Sequence, residues 1–128
     1  MLVLGLIAAA LAAALHIVIF YMESIAWEGA LARKTFGGTP DEAHPHAFYA
    51  FNQGFYNLFL AVETIVGIVL IAAGSRGIGA ALVLAGTGSM LAAALVLLLA
   101  SRAHRAAALK QGALPLIAVL ATTAGLLL

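Results

Sequence analysis

The chain has 128 residues, of which 65% are hydrophobic and 9% are charged, and its mean hydropathy is +1.14. A soluble domain of this length needs more polar surface to cover its core, so the composition excludes that class and indicates a bilayer as the solvent. The net charge of +1 comes with scattered basic residues, which gives no indication of nucleic-acid binding. The chain has no cysteine, so disulfides, thiolate metal sites and thiol catalysis are excluded.

The first apolar run, residues 2–27, predicts a membrane-spanning helix rather than a signal peptide. A signal peptide carries basic residues before its apolar core, and the first basic side chain here is Arg33. The run is also longer than the apolar core of a signal peptide. In the polar loop that follows, residues 28–46, we predict a short interfacial helix over residues 30–36, because Gly and Pro are missing from that segment.

Three further apolar runs complete the prediction of an all-α, four-transmembrane-helix bundle in a single domain, residues 1–128. They span residues 47–73, 78–100 and 112–128. A tight turn, residues 74–77, joins the second run to the third, and a basic connector, residues 101–111, joins the third to the fourth. Because these connections are short, we expect consecutive helices to be antiparallel, in up-down-up-down order.

The basic residues predict the orientation of the four spans. The first and third loops carry most of them: Arg33, Lys34, Arg102, Arg105 and Lys110. The second loop carries only Arg76. By the positive-inside rule, the first and third loops lie in the cytoplasm and both termini lie outside the membrane.

Polar side chains inside the first two spans predict the functional site. In the first span, His16 and Glu23 share a helix face with Phe20 and Trp27, at spacings of four, three and four residues. In the second span the polar residues form two adjacent stripes, Asn52, Tyr56 and Glu63 on one and Gln53, Asn57 and Thr64 on the other. Strongly polar groups at this depth are costly, so they mark a partner or a cavity. For single amides or the histidine, interhelical hydrogen bonding is the competing interpretation.

Counting depth inward from Trp27 and from Tyr49 predicts the partner of Glu23. At ~1.5 Å per residue, Glu23 falls level with the amides of Asn52 and Gln53. We therefore expect Glu23 to face that end of the second helix and to accept hydrogen bonds from these amides. The indole N–H of Trp27, on the same face, is a further candidate donor.

The same count places His16 and Glu63 within a turn of each other near the middle of the bilayer. We expect these two residues to interact directly, through a water molecule or through Tyr56, and to share a proton. The alternative, which stays open, is a neutral Glu63 bonded to a backbone carbonyl or to Thr87.

Other features of the sequence give weaker indications. The His44-Pro45-His46 segment is more typical of a polar loop than of a metal site, and we predict neither a metal ion nor an organic cofactor. In the third span, two pairs of small residues four positions apart suit close packing or a homodimer: Gly88 with Ala92, and Ala85 with Ser89.

The segments LHIVIFYMESIAWEG, KTFG and NQGFYNLFLA resemble the family of small membrane proteins catalogued as domain of unknown function 1304. Its pattern falls on His16, Tyr21, Glu23, Trp27, Phe36, Gly37, Asn52, Gln53, Gly54, Tyr56 and Asn57. The resemblance covers the first half of the chain in detail and the second half in hydropathy. It implies an integral membrane protein of a bacterial plasma membrane, and it implies no activity.

Three functions fit these predictions. The first, which we favour, is a homodimeric binder or carrier of a small lipophilic or cationic compound, with proton coupling through a buried carboxyl group. The second is an intramembrane enzyme on a lipid-soluble substrate, with His16, Glu23 and Tyr56 as acid and base groups. The third is an accessory subunit in which the polar residues only hold the helix pair together.

Overall fold

The structure, a computed structural model, describes all residues from Met1 to Leu128 and consists of helices and the turns between them, without a β-strand. Helix α1 covers Leu2–Phe20 and continues as a π-helix over Tyr21–Ile25. The first loop holds two short helices and a 3-10 turn: α2 at Ala30–Phe36, α3 at Pro40–Ala43 and the turn at His44–His46. Three long helices follow: α4 at Ala47–Ala72, α5 at Arg76–Ala100 and α6 at Arg105–Leu127. The all-α prediction is confirmed.

Four helical segments are long and apolar enough to cross a membrane, as the sequence predicted. They are Leu2–Ile25, Pro40–Ala72, Arg76–Ala100 and Arg102–Leu127. The molecule is thus built as a membrane protein. The up-down-up-down order of the helices and the outside location of both termini stay predictions.

Several boundaries differ from those predicted. The first long helix ends at Ile25 rather than at Trp27, because Ala26 leaves helical geometry. Helix α6 begins at Arg105, inside the predicted connector of residues 101–111. Charged residues end the hydrocarbon-spanning part of a helix but not the helix itself, since Lys and Arg are good helix formers. The predicted interfacial helix over residues 30–36 is confirmed as α2.

The chain divides into two compact units. Unit 1 comprises residues 1–15 and 60–128, and unit 2 comprises residues 16–59. The two divisions fall inside α1 and inside α4, so each of these helices contributes to both units.

In unit 1, glycines allow helices to approach to backbone contact. A Cβ atom on Gly5 of α1 would overlap Thr122 of α6. In the same way, a Cβ atom on Gly67 of α4 would lie 2.7 Å from the carbonyl oxygen of Gly79 in α5. Small residues give such close approach in membranes, where packing takes the place of the hydrophobic effect between helices.

The buried core is made mainly of alanine. Of the 17 buried hydrophobic residues, 13 are alanines, and Met90 and Val83 are the largest fully buried hydrophobic side chains. Large apolar side chains point outward instead, as for Leu99, which is 80% exposed. This distribution is the one expected where lipid covers the outside of the helices.

Candidate binding site

The site in unit 2 begins with the π-helix that carries Glu23. The backbone N–H of Ala26 donates to the carbonyl oxygen of Tyr21 over 2.9 Å, which is the i to i+5 pattern of a π-turn. Such a turn shifts the side chains after it around the helix axis, relative to an α-helix. π-turns are frequent at functional sites, because they aim one side chain away from the regular helical stripe.

A close contact between the π-helix and α4 fixes the position of this turn. The Ser24 hydroxyl donates to the carbonyl oxygen of Phe51 over 2.7 Å. Gly54, one turn further along α4, is buried against Ser24, and a Cβ atom at position 54 would overlap the Ser24 hydroxyl oxygen. The glycine of the Asn-Gln-Gly-Phe-Tyr-Asn segment is therefore what allows the two helices to meet.

Asn57 is the partner of Glu23. Its side-chain N–H₂ donates to Oε2 of Glu23 over 2.8 Å and to the backbone carbonyl oxygen of Gln53 over 3.2 Å. The second bond ties the amide to its own helix and so fixes which edge of Asn57 faces the carboxyl group. Glu23 is partly buried and its hydrogen-bond partner carries no charge.

The prediction for Glu23 is right about the helix that it faces and wrong about the donors. It named the amides of Asn52 and Gln53, whereas Asn57, a turn further into α4, donates the bond. Depth counting assumed an unbroken α-helix through Trp27. That assumption is wrong, because the helix has a π-turn and ends at Ile25. The Trp27 indole, proposed as a further donor to Glu23, instead donates to the carbonyl oxygen of Ala43 over 2.9 Å.

Trp27 is the anchor of the first loop. The guanidinium carbon of Arg33 lies 4.3 Å from the centre of the Trp27 ring, within cation–π range. Arg33 also donates to the carbonyl oxygens of Trp27, over 3.1 Å, and of Gly37, over 2.6 Å. Gly37 has a φ of 84°, a backbone conformation that favours glycine. The loop is therefore held in a defined fold beside Glu23.

A cleft of about 550 Å³ opens between the π-helix, the following turn and the start of α4. We call it the Glu23 cleft. Its lining residues are Glu23, Ser24, Ile25, Ala26, Trp27, Glu28, Gly29, Ala47, Phe48 and Phe51. It holds two carboxyl groups, and none of its lining residues is Lys, Arg or His. The carboxylate of Glu28 is 2.6 Å from Nδ1 of the exposed His44.

A second, smaller cleft of about 400 Å³ also reaches Glu23. Its lining residues are Glu23, Trp27, His46, Tyr49, Ala50 and Gln53. Glu23 and Trp27 line both clefts.

The other predicted site residues are dispersed. His16 is buried, at 3% exposure, while Tyr56 is 60% exposed, and neither lines one of the two clefts. Asn52 is exposed. Glu63 is half-buried and belongs to unit 1, whereas His16 belongs to unit 2. The pairing of His16 with Glu63 therefore stays a prediction. No group of three or more His, Asp or Glu residues could hold a metal ion.

Among the cleft residues that sequence reasoning did not find, three carry a carboxyl group or an aromatic ring: Glu28, Phe48 and Phe51. Glu28 lies five residues after Glu23, which on a regular α-helix is a different face. Only the helix end after Ile25 brings Glu28 into the same cleft. The spacing of Phe48 and Phe51, three residues apart at the start of a span, was the one available signal for an aromatic wall.

Comparison with known protein families gives one match. A family model described as "Protein of unknown function (DUF1304)" matches residues 10–123. The match includes the π-helix, the first loop and the whole of α4. Comparisons with curated proteins and with solved structures find no match.

Proposed function

The chain belongs to the family "Protein of unknown function (DUF1304)", whose description assigns no activity, and from the Glu23 cleft we propose that it is a membrane protein that binds a small amphiphilic cation. The observation that carries the proposal is the composition of this cleft. Two carboxyl groups and aromatic rings surround a volume of about 550 Å³, without a basic side chain in the lining. That volume is within the range of small-molecule sites.

The charge of the cleft supports a cationic ligand. The hydrogen-bond donor to Glu23 is the neutral amide of Asn57, so Glu23 makes no ion pair within the chain. A carboxylate beside hydrocarbon is stabilised by a bound cation. The rings of Phe48 and Phe51 add apolar surface and π-faces, which attract cations as well.

The position of the cleft supports an amphiphile. The first span, Leu2–Ile25, has 24 residues, and about 20 suffice to cross the hydrocarbon core. Glu23 is in the last turn of that span, close to the level of lipid headgroups. A ligand with a charged head and an apolar body would hold its head at Glu23 and its body against Phe48 and Phe51.

The test is equilibrium binding of tetraphenylphosphonium, a lipophilic cation, to the purified protein in detergent micelles. We expect saturable binding, and a dissociation constant that rises roughly 10- to 100-fold in Glu23→Gln, because the substitution removes the Coulomb attraction between a carboxylate and a cation, about 1.5–3 kcal/mol at ~6–10 Å and an effective dielectric constant of about 20. The neutral triphenylphosphine oxide should bind more weakly and should not respond to this substitution.

Asp41→Asn is the matched control. It removes one carboxylate from the first loop, at an exposed position that lines neither cleft. We expect its affinity for the cation to equal that of the unsubstituted chain. Absence of saturable binding, or equal loss of affinity in both variants, would contradict the proposal.

Transport is the second step of the same proposal. A carrier would take the cation from one face of a bacterial plasma membrane and exchange it for a proton at Glu23. In this proposal both termini lie outside the membrane. Proteoliposomes with a pH gradient test this step: we expect uptake of tetraphenylphosphonium that Glu23→Gln abolishes. Saturable binding without gradient-dependent uptake would show that the protein binds the cation but does not transport it.

Acid–base catalysis has less support than binding. It would need His16 and Tyr56 beside Glu23, and neither of them lines a cleft that Glu23 lines.

A further inference from the structure

The second carboxyl group of the Glu23 cleft has a basic partner that lies outside the cleft. Oε1 of Glu28 is 2.6 Å from Nδ1 of His44, and the two residues are 16 positions apart in the chain. Glu28 lines the cleft, whereas His44 does not. The side chain of Glu28 is 45% exposed and that of His44 is 76% exposed. The carboxyl group of Glu28 is therefore open to a different partner.

A second contact holds the same two parts of the chain together. Trp27, the residue before Glu28, donates from its indole N–H to the carbonyl oxygen of Ala43, the residue before His44, over 2.9 Å. This bond is partly buried, whereas the contact between Glu28 and His44 is exposed. Exposed ion pairs contribute little to stability. The contact between Glu28 and His44 can therefore open while the first loop keeps its fold.

We propose that His44 regulates the Glu23 cleft by competing with the bound cation for Glu28, an inference that rests on the proposed function. An ionised carboxyl group only accepts hydrogen bonds, so Nδ1 of His44 donates in this contact. The protonated ring also brings a positive charge, which weakens the attraction of Glu28 for a second cation. When His44 leaves, the cleft offers two free carboxyl groups to the cation, and its affinity rises.

Equilibrium binding of tetraphenylphosphonium in detergent micelles tests this competition. We expect His44→Ala to lower the dissociation constant by roughly 2- to 5-fold, the range that an exposed ion pair contributes. His44→Lys keeps a positive charge that can reach Glu28, so its dissociation constant should equal that of the unsubstituted chain. In a chain that carries Glu28→Gln, the effect of His44→Ala should be lost, because the carboxylate for which His44 competes is no longer there.

His104→Ala is the matched control. It removes another exposed histidine, which contacts the Ser101 hydroxyl group and lines neither cleft, and we expect unchanged affinity for the cation. The neutral triphenylphosphine oxide should bind His44→Ala and the unsubstituted chain equally. Unchanged or weaker cation binding in His44→Ala, or an equal gain in His44→Lys or His104→Ala, would refute the competition, while a loss of affinity in Glu23→Gln would still support the binding site. If Glu23→Gln has no effect either, the proposed function itself fails.

Discussion

Replacement of Gly54 by alanine isolates the contact that positions the binding site. A Cβ atom at position 54 would overlap the Ser24 hydroxyl oxygen, and it would lie 3.0 Å from the Ser24 backbone nitrogen and 3.1 Å from Cβ of Glu23. The hydroxyl can rotate away, but the nitrogen and the Cβ atom move only with the π-helix itself. The helices must therefore separate.

The expected loss follows from three contributions. Overpacking of this kind costs about 1–3 kcal/mol, and loss of the bond from Ser24 to the Phe51 carbonyl oxygen costs about 1 kcal/mol more. The higher helix propensity of alanine offsets about 1 kcal/mol. We expect Gly54→Ala to lower the free energy of unfolding by about 1–3 kcal/mol and to weaken cation binding at Glu23.

Unfolding in mixed micelles with increasing sodium dodecyl sulfate measures this free energy, and the fluorescence of Trp27, the single tryptophan, reports it beside the site. Gly88→Ala is the matched control, because Gly88 is also inside a long helix and a Cβ atom there would meet nothing within 4 Å. In a double variant, Ser24→Ala should restore part of the loss. If Gly54→Ala is as stable as Gly88→Ala and still binds the cation, the contact does not position the site.

Two further substitutions test the partners of the site. Asn57→Leu should lower the free energy of unfolding by about 1–3 kcal/mol, because Oε2 of Glu23 loses its N–H donor; the same micelle titration measures it, and unchanged stability would contradict the pairing. Arg33→Lys should accelerate proteolysis of the first loop several-fold, because lysine cannot reproduce both the stacking on Trp27 and the two bonds to carbonyl oxygens of Trp27 and Gly37. A cleavage rate equal to that of the unsubstituted chain would show that the loop does not depend on Arg33.

The spans and the interfacial helix were predictable because they depend on local composition. Residues 30–36 form a helix where breakers are missing, and α2 occupies that range. The start of α6 was not predictable by the same reasoning. Arg105 and Lys110 mark where the hydrocarbon ends, while the helix continues past them as backbone geometry allows.

The site was predictable as a set of polar residues but not as a geometry. The residue types identified Glu23 and its partner Asn57 as members of one polar cluster. The π-turn over Tyr21–Ile25 decided which amide meets the carboxyl group. The π-turn packs through Ser24 against Gly54, and this is a contact between distant parts of the sequence.

The alanine-rich core reverses the usual pattern of mutational sensitivity. Alanine scanning finds structural residues by removing side-chain atoms beyond Cβ. Most buried hydrophobic positions in this chain are already alanine, so the scan changes nothing there. Such a scan would therefore report a tolerant interior. Substitutions that add atoms, such as Ala9→Leu or Ala118→Leu at positions with 0% exposure, would instead disrupt packing. In an evolving lineage, the interior of this protein would accept very few changes of size, and sequence variation would accumulate on the large apolar side chains that face lipid.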